Sequence, residues 1–404
     1  MPKKIILKKD VVFKEKGTQK SKIKIVGVGG AGGSAIKRML KEKISGVEYI
    51  AINTDLSVLK TLGKNVKKIQ IGKSLTKGRG TGTDPDLGQA AVEENTAEIK
   101  KALKGAEIVF LTAGFGGGTG TGAGLAVADI LEQMKILTIA VVTKPFTFEG
   151  PYKKNIADQG IKKLINRVDS LIVISNDRLL QAIDRSTPIL EAFNIADEVL
   201  KQGVKGIIDI LNVPGLINID FANVKPILQQ AGKTFLGMGS AKGENCALEA
   251  VKNALKNPLI NLSVKGANGV VFVITGSPDL KMMEVNEIAE MVSQQADLRA
   301  KIVFGAVIDE KLKDEIKITL IATGFEENTY HNFSSQILES DEGEQDSENE
   351  EKSSQEQEEE NRDKKVYVYH EKRQELDENE KQREMTMEDE LEIPAFLRKK
   401  LKKK

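Results

Sequence analysis

The sequence has no tryptophan, one cysteine and two histidines in 404 residues. Cys246 alone excludes an internal disulfide and any cysteine-based zinc site. His331 and His370 are too few for a histidine metal cage and give little basis for a histidine-centred triad. Aromatic residues make up only 4%, which argues against nucleic-acid binding through stacked bases. No stretch approaches the roughly 20 apolar residues of a membrane span. The start, MPKKIILKKD, is basic but has no adequate apolar segment for a secretory signal, so the expectation is a cytosolic protein. The pattern GxxxxGK followed by Ser or Thr is also missing, which removes a Walker-type phosphate loop.

What is present is strongly segregated. The net charge of +1 hides a lysine-rich arm over residues 1–20 and an acidic run, ESDEGEQDSENEEKSSQEQEEENRD, from Glu339 to Asp363. Such a composition cannot bury enough apolar surface to fold, so 331–388 reads as a disordered acidic linker. The end, LEIPAFLRKKLKKK, combines a short apolar knot with a basic block. The expected organisation is an arm (1–20), a nucleotide-binding domain (21–187), a central helix (188–213), a C-terminal domain (214–330), the linker and a docking tail (389–404).

Inside the body, short apolar runs alternate with helical segments. KIKIVGV, EYIAIN, AEIVFLTA, ILTIAVVT and SLIVISN read as buried parallel strands covered on both faces. This predicts a Rossmann-like α/β domain with its ligand at the carboxyl ends of the strands. Ser186, Thr187 and Pro188 supply caps and a proline suited to a first helical position. Ile189, Phe193, Ala196, Leu200, Val204, Ile207 and Leu211 then form one continuous face, read as core. Pro214 and Gly215 end that helix. The remaining body reads as an α+β layer, with AKGENCALEAVKNAL as its first helix.

Two glycine loops carry chemistry. Gly27, Gly29 and Gly32 satisfy GxGxxG between a strand and a helix, with Asp55 after the second strand. That pattern fits a nicotinamide-dependent dehydrogenase, and it also fits a tight turn with no ligand. The second loop, GFGGGTGTGAG, places seven glycines in eleven residues, directly after the third strand and before a helix. Backbone amides freed of side chains can close around phosphate oxygens there, and Thr119 and Thr121 can add hydroxyls. Two such loops on neighbouring strands suit a triphosphate gripped from two sides.

The loop GGGTGTG, with GVGGAGGSAIKRM, AINTD, PFTFEG, SNDRLL, AFNIADEVL, QGVKGIIDIL, PGLINIDFANVK and EIPAFLRKK, resembles the tubulin/FtsZ family over nearly the whole chain, and its bacterial cell-division branch in particular. The resemblance implies a self-polymerising GTPase that forms the cytokinetic ring at mid-cell. It implies GTP or GDP in the site, with Mg²⁺ accompanying the nucleotide. Gly30, Ala31, Gly32, Gly33 and Ser34 would line the phosphates, the last in place of the family's more usual Asn. Gly117, Gly118, Thr119 and Gly120 would hold the β- and γ-phosphates. Glu149 would bond the ribose, Asp197 would read the guanine edge, and Lys153 stands where Arg is usual. The loop 78–88 would close over the γ-phosphate, although Thr81 and Thr83 replace smaller residues.

Head-to-tail assembly would bring Asn218, Asp220 and Asn223 of one copy to the nucleotide of the next. Asn223 replaces an Asp, which implies slow hydrolysis, and it can equally be read as the N-cap of the helix that follows. A family member that assembles with little hydrolysis is therefore an alternative. In the tail, Ile393, Pro394, Phe396, Leu397, Arg398 and Lys399 would bind a membrane adaptor such as FtsA. No nucleic-acid partner is expected, and the membrane would be touched only indirectly or through the basic end.

Overall fold

The structure is a computed structural model that describes residues 22–42, 44, 46–182, 187–212, 216, 217, 219–243, 245–256 and 264–325. The expected arm, acidic linker and docking tail lie outside these residues, as does Asn218.

The first strands are β1 (Ile23–Val28), β2 (Val47–Asn53), β3 (Val66–Gln70), β4 (Ile108–Gly114), β5 (Leu137–Lys144), β6 (Ser170–Ser175) and the short β7 (Gly232–Lys233). They form one parallel sheet in the order β3-β2-β1-β4-β5-β6-β7. β1 is buried at all six positions, and β4 and β5 are buried at all but their last, because helices cover both faces. Those helices are α1 (Gly29–Met39), α2 (Leu56–Lys60), α3 (Lys73–Thr76), α4 (Pro85–Glu94), α5 (Thr96–Leu103), α6 (Gly124–Gln133), α7 (Pro151–Leu164) and α8 (Asn176–Ala182). Strand order reverses direction at β1 and β4, so the crevice of this sheet opens above these two strands.

α9 (Ile189–Asn212) runs for 24 residues, about 36 Å at 1.5 Å per residue. Ala196, Leu200, Val204 and Ile207 on it are buried in a core shared with β5 and the second sheet. Two readings of this helix need correction. Pro188 precedes the first helical residue, and its carbonyl accepts from the amides of Glu191 and Ala192. Phe193 is 42% exposed, because its turn of the helix overhangs the crevice and not the core.

After α10 (Phe221–Leu228), the second sheet comprises β8 (Phe235–Lys242), β9 (Gly269–Gly276), β10 (Lys301–Ile308) and β11 (Glu315–Thr323) in the order β10-β9-β11-β8. Helices α11 (Cys246–Leu255) and α12 (Met282–Gln295) accompany it. The segment read as a helix from Ala241 is corrected: Ala241 and Lys242 end a strand, and the helix starts at Cys246. A Cβ on Gly237 or Gly239 would lie 2.2 Å from a carbonyl oxygen of α11, at Ala254 or Ala250. These glycines let helix and strand backbones approach, and a Gly-x-Gly spacing hides a strand from a periodicity reading. Cys246 is buried as packing, and burial pushes its thiol pKa up.

Candidate functional site

The two glycine loops leave the carboxyl ends of β1 and β4, and they touch. A Cβ on Gly29, whose φ is +73°, would meet the backbone nitrogen of Gly120 at 3.1 Å. Their glycines divide by what a side chain would strike. Gly27 and Gly32 have no room, with Gly32 O at 2.4 Å and Thr112 O at 2.5 Å respectively, so they pack α1 onto the sheet. Gly118 and Gly120 are equally closed, by Asp84 O at 2.3 Å and Gly114 O at 2.1 Å. Gly30 and Gly117 have nothing within 4 Å. Tight packing explains the first group. For the second the protein itself sets no steric demand, and both residues line a cleft of about 360 Å³.

Of the residues the sequence singled out, Gly30, Ala31, Gly117, Gly118, Thr119, Gly120, Glu149, Lys153 and Asp197 line this cleft together. Gly32, Gly33 and Ser34 do not; they sit on the following turn of α1. One end is backbone: Gly117 to Gly120 precede α6 through a single wide turn at Thr119–Ala123. Amides at such a helix entrance favour an anion.

The other end is shaped by side chains. Glu149 accepts from the Phe146 amide at 3.0 Å and pairs with Lys153 Nζ at 3.0 Å, so both its oxygens are held. Thr147 donates its amide and its hydroxyl to Asp177, at 2.6 and 2.7 Å, which fixes the turn carrying Glu149. Asp197 lies 3.4 Å from Arg38 Nε. Burial raises the pKa of its carboxyl, and Arg38 acts against that rise. A carboxylate kept partly dry at the cleft is suited to accepting paired N–H donors from a planar ring.

Three features here escaped the sequence reading. Phe193 lines the cleft and meets Phe146 edge-on with ring centroids 5.3 Å apart, while Phe146 stacks on Phe148 at 4.9 Å. Asn176 also lines the cleft, is buried, and its Oδ1 has no partner among the described residues. A buried orphan acceptor is costly unless a ligand meets it. Its signal in the sequence is the SND stretch directly after a strand. The third feature is Arg38, whose partner on α9 is distant in sequence.

Asp220 and Asn223 do not line the cleft within one molecule. Asp220 is extended (φ −76°, ψ 131°), and its carboxylate accepts from the Ala222 amide at 2.9 Å as the N-cap of α10. The reading of Asn223 as that cap is therefore corrected: it is an exposed residue of the first turn, with its amide donating to Asp220 O at 2.9 Å. In the segment before α10, Ile217 forms an antiparallel bridge to Ala306 on the outer strand β10. The tail residues Ile393 to Lys399 lie outside the described residues. No helix among the described residues is long and apolar enough to cross a membrane.

A cleft with backbone anion donors at one end and a carboxylate, an orphan amide oxygen and an aromatic face at the other fits a nucleoside polyphosphate. Comparisons with known proteins agree with that chemistry. A family model described as "Tubulin/FtsZ family, GTPase domain" matches residues 22–184, and one described as "FtsZ family, C-terminal domain" matches 232–326. The chain is similar to an FtsZ dimer from M. jannaschii, described as empty, at 41% identity, covering 76% of this chain and 88% of that one with a TM-score of 0.71. CetZ2 from Haloferax volcanii, a GTPγS-bound protofilament, is 22% identical over 79% of this chain and 98% of its own, with a TM-score of 0.67. CetZ1 from the same organism, a GDP-bound monomer, is 19% identical over 79% and 99%, with a TM-score of 0.66. The two CetZ proteins share the fold. These relatives are archaeal, so the similarity does not single out the bacterial branch. The matched model is that of a GTPase domain, which leaves the dehydrogenase reading without support.

Proposed function

This chain belongs to the tubulin/FtsZ family, and on that premise we propose that it binds GTP in the cleft above β1 and β4, assembles head to tail, and hydrolyses GTP where two copies meet. The observation that carries the reading is the contact of two glycine loops whose open members, Gly30 and Gly117, face one cleft. Amides of Gly30, Ala31 and Gly117 to Gly120 bind phosphate oxygens. Glu149 orients the ribose, with Lys153 holding the carboxylate in place. Asp197 accepts from the guanine edge, Asn176 offers its unpaired oxygen, and Phe193 covers the ring.

Among the described residues no group of three or more His, Cys, Asp or Glu could hold a metal ion. Mg²⁺ entering with the nucleotide would rely mainly on phosphate oxygens and water, which suits its reluctance to dehydrate. The chain's part in hydrolysis is to position and polarise, since phosphoryl transfer asks little covalent chemistry of a protein. Asp220 of one copy accepts a hydrogen bond from a water aligned on the γ-phosphate held by the next, Asn218 orients that water, and Asn223 supplies an acceptor without charge. The missing charge makes turnover slow. The wider role is the division ring at mid-cell, with the 389–404 tail docking on a membrane adaptor such as FtsA.

Calorimetric titration of the purified protein with GTP, ATP and NAD tests the nucleotide assignment, with sedimentation alongside. Selective GTP binding with GTP-dependent pelleting is expected. Binding of NAD with no response to GTP would overturn it.

A further inference from the structure

Three threonine hydroxyls from three separate loops converge beside the cleft. Thr54 follows β2, Thr81 lies in the loop before α4, and Thr119 belongs to the second glycine loop. Thr119 Oγ1 lies 3.0 Å from Thr54 Oγ1 and 3.2 Å from Thr81 Oγ1. Thr54 is fully buried and Thr81 is nearly so, and neither hydroxyl has another hydrogen-bond partner among the described residues.

Proton accounting then decides the directions. Each hydroxyl has one proton to give and two lone pairs to receive. Were Thr119 to donate to Thr54, the Thr54 proton would be left in the interior with no acceptor. Thr81 also lines the cleft but is only 6% exposed, whereas Thr119 is half-buried, so the Thr81 proton is the one better kept in a bond and the Thr119 proton the one better turned to the cleft. A buried donor without a partner costs more than a made hydrogen bond returns. Both outer hydroxyls therefore donate inward, Thr119 is a double acceptor, and its own proton has no acceptor in the protein. Thr119 lines the cleft, so that proton is available to a ligand there. A hydroxyl that already accepts two bonds is polarised into a stronger donor.

Thr81 adds a mechanical link. A Cβ on Gly118 would lie 2.2 Å from Thr81 Oγ1, so the 78–84 loop rests directly on the glycine loop. Its neighbour Thr83 has φ +69°, a strained conformation for a β-branched residue. The loop is thus held in a conformation its own residues disfavour, and the hydroxyl contact is among the bonds that hold it.

We propose that Thr81 is a positioning residue for the nucleotide: with Thr54 it donates to Thr119 and so fixes the Thr119 hydroxyl as a donor to a phosphate oxygen. This inference rests on the GTP reading above. It assigns Thr81 a hydroxyl-specific role that its volume alone would not give.

Thr81→Val keeps the shape and removes the hydroxyl, and Thr81→Ser keeps the hydroxyl. Affinities for GTP, and for guanosine as a phosphate-free competitor, are measured on the full chain with a thermal melt of each variant. Thr81→Val is expected to weaken GTP about fivefold, the size of one hydrogen bond's net effect, leave guanosine unchanged, and add little once Thr119→Val is present. Thr81→Ser should bind like wild type. Thr54→Val should reproduce the GTP loss, and it carries the test if Thr81→Val does not fold. Unchanged GTP affinity in both valine variants, an equal loss for guanosine, or an undiminished loss in the Thr119→Val background overturns the proposal. If the wild-type chain fails to bind GTP, the underlying functional reading falls first, a distinguishable result.

Discussion

Arg38 Nε lies 3.4 Å from Asp197 Oδ2, joining the end of α1 to α9 where Asp197 lines the cleft. The same guanidinium also donates to Asn194. Burial raises the Asp197 pKa and Arg38 opposes it, so removing Arg38 leaves burial unopposed and the carboxyl titrates higher still. Guanine N–H donors need the ionised acceptor. Arg38→Ala should therefore weaken GTP binding roughly fivefold near neutrality, with the loss growing as the pH falls. Stability runs the other way. A carboxyl with a raised folded pKa binds its proton more tightly folded than unfolded, so stability is lost as pH rises above the ordinary 3.8. The stability deficit of Arg38→Ala should shrink as the pH is lowered toward that value. Titration calorimetry and melts across pH check both signs.

Gly117 and Gly118 are adjacent but answer to different demands. Gly117→Ser has open space in the protein, so it should fold normally and lose GTP binding and assembly together. Gly118→Ser would drive a side chain into Asp84 O and Thr81 Oγ1, so it should lower the melting temperature with or without nucleotide. Overpacking of this kind costs about 1–3 kcal/mol. Thr119→Ala should resemble Gly117→Ser. A Gly117→Ser protein with wild-type GTP affinity would sink the amide assignment.

Much of this was legible in the sequence, and the reasons are particular. β1, β4 and β5 are sheathed on both faces, so their residues form unbroken apolar runs. β3 reads VKKIQ because it is an edge strand, with its two lysines exposed, and its pattern resembles a loop. β8 was hidden by Gly237 and Gly239, which exist for the close approach of α11. Phe193 kept helical register with the core stripe, and periodicity cannot tell a face that meets core from one that meets a cleft. Arg38 and Asp197 are 159 residues apart, so only the fold unites them.

The cap at α10 changes how the proposed role of Asp220 and Asn223 should be probed. Asp220→Ala removes an N-cap along with a carboxylate, at about 1 kcal/mol of stability. Asp220→Asn keeps capping ability and removes only the charge. It should lower turnover by roughly 10²-fold or more while GTP binding survives. Asn223→Asp should raise turnover about tenfold, equivalent to about 1.4 kcal/mol of barrier, and an acid in that first turn is compatible with the helix. Unchanged turnover in Asn223→Asp filaments of normal mass would make the missing charge irrelevant.

Removing residues 391–404 should leave GTP turnover and pelleting unchanged and abolish recruitment to adaptor-coated vesicles. Ile393, Phe396 and Leu397 are the expected anchors, with Arg398 and Lys399 at the rim. Recruitment that survives the deletion contradicts a docking tail.

The central claim is that the GTPase site is completed by a second copy, because Asp220 and Asn223 lie away from the cleft of their own molecule. Phosphate release per subunit, measured in saturating GTP over a range of protein concentrations, tests this most directly. The account predicts almost no turnover below a threshold concentration, then a steep rise that coincides with the onset of pelleting. A rate per subunit that stays constant from dilute to concentrated protein would place all the chemistry within one molecule and contradict it.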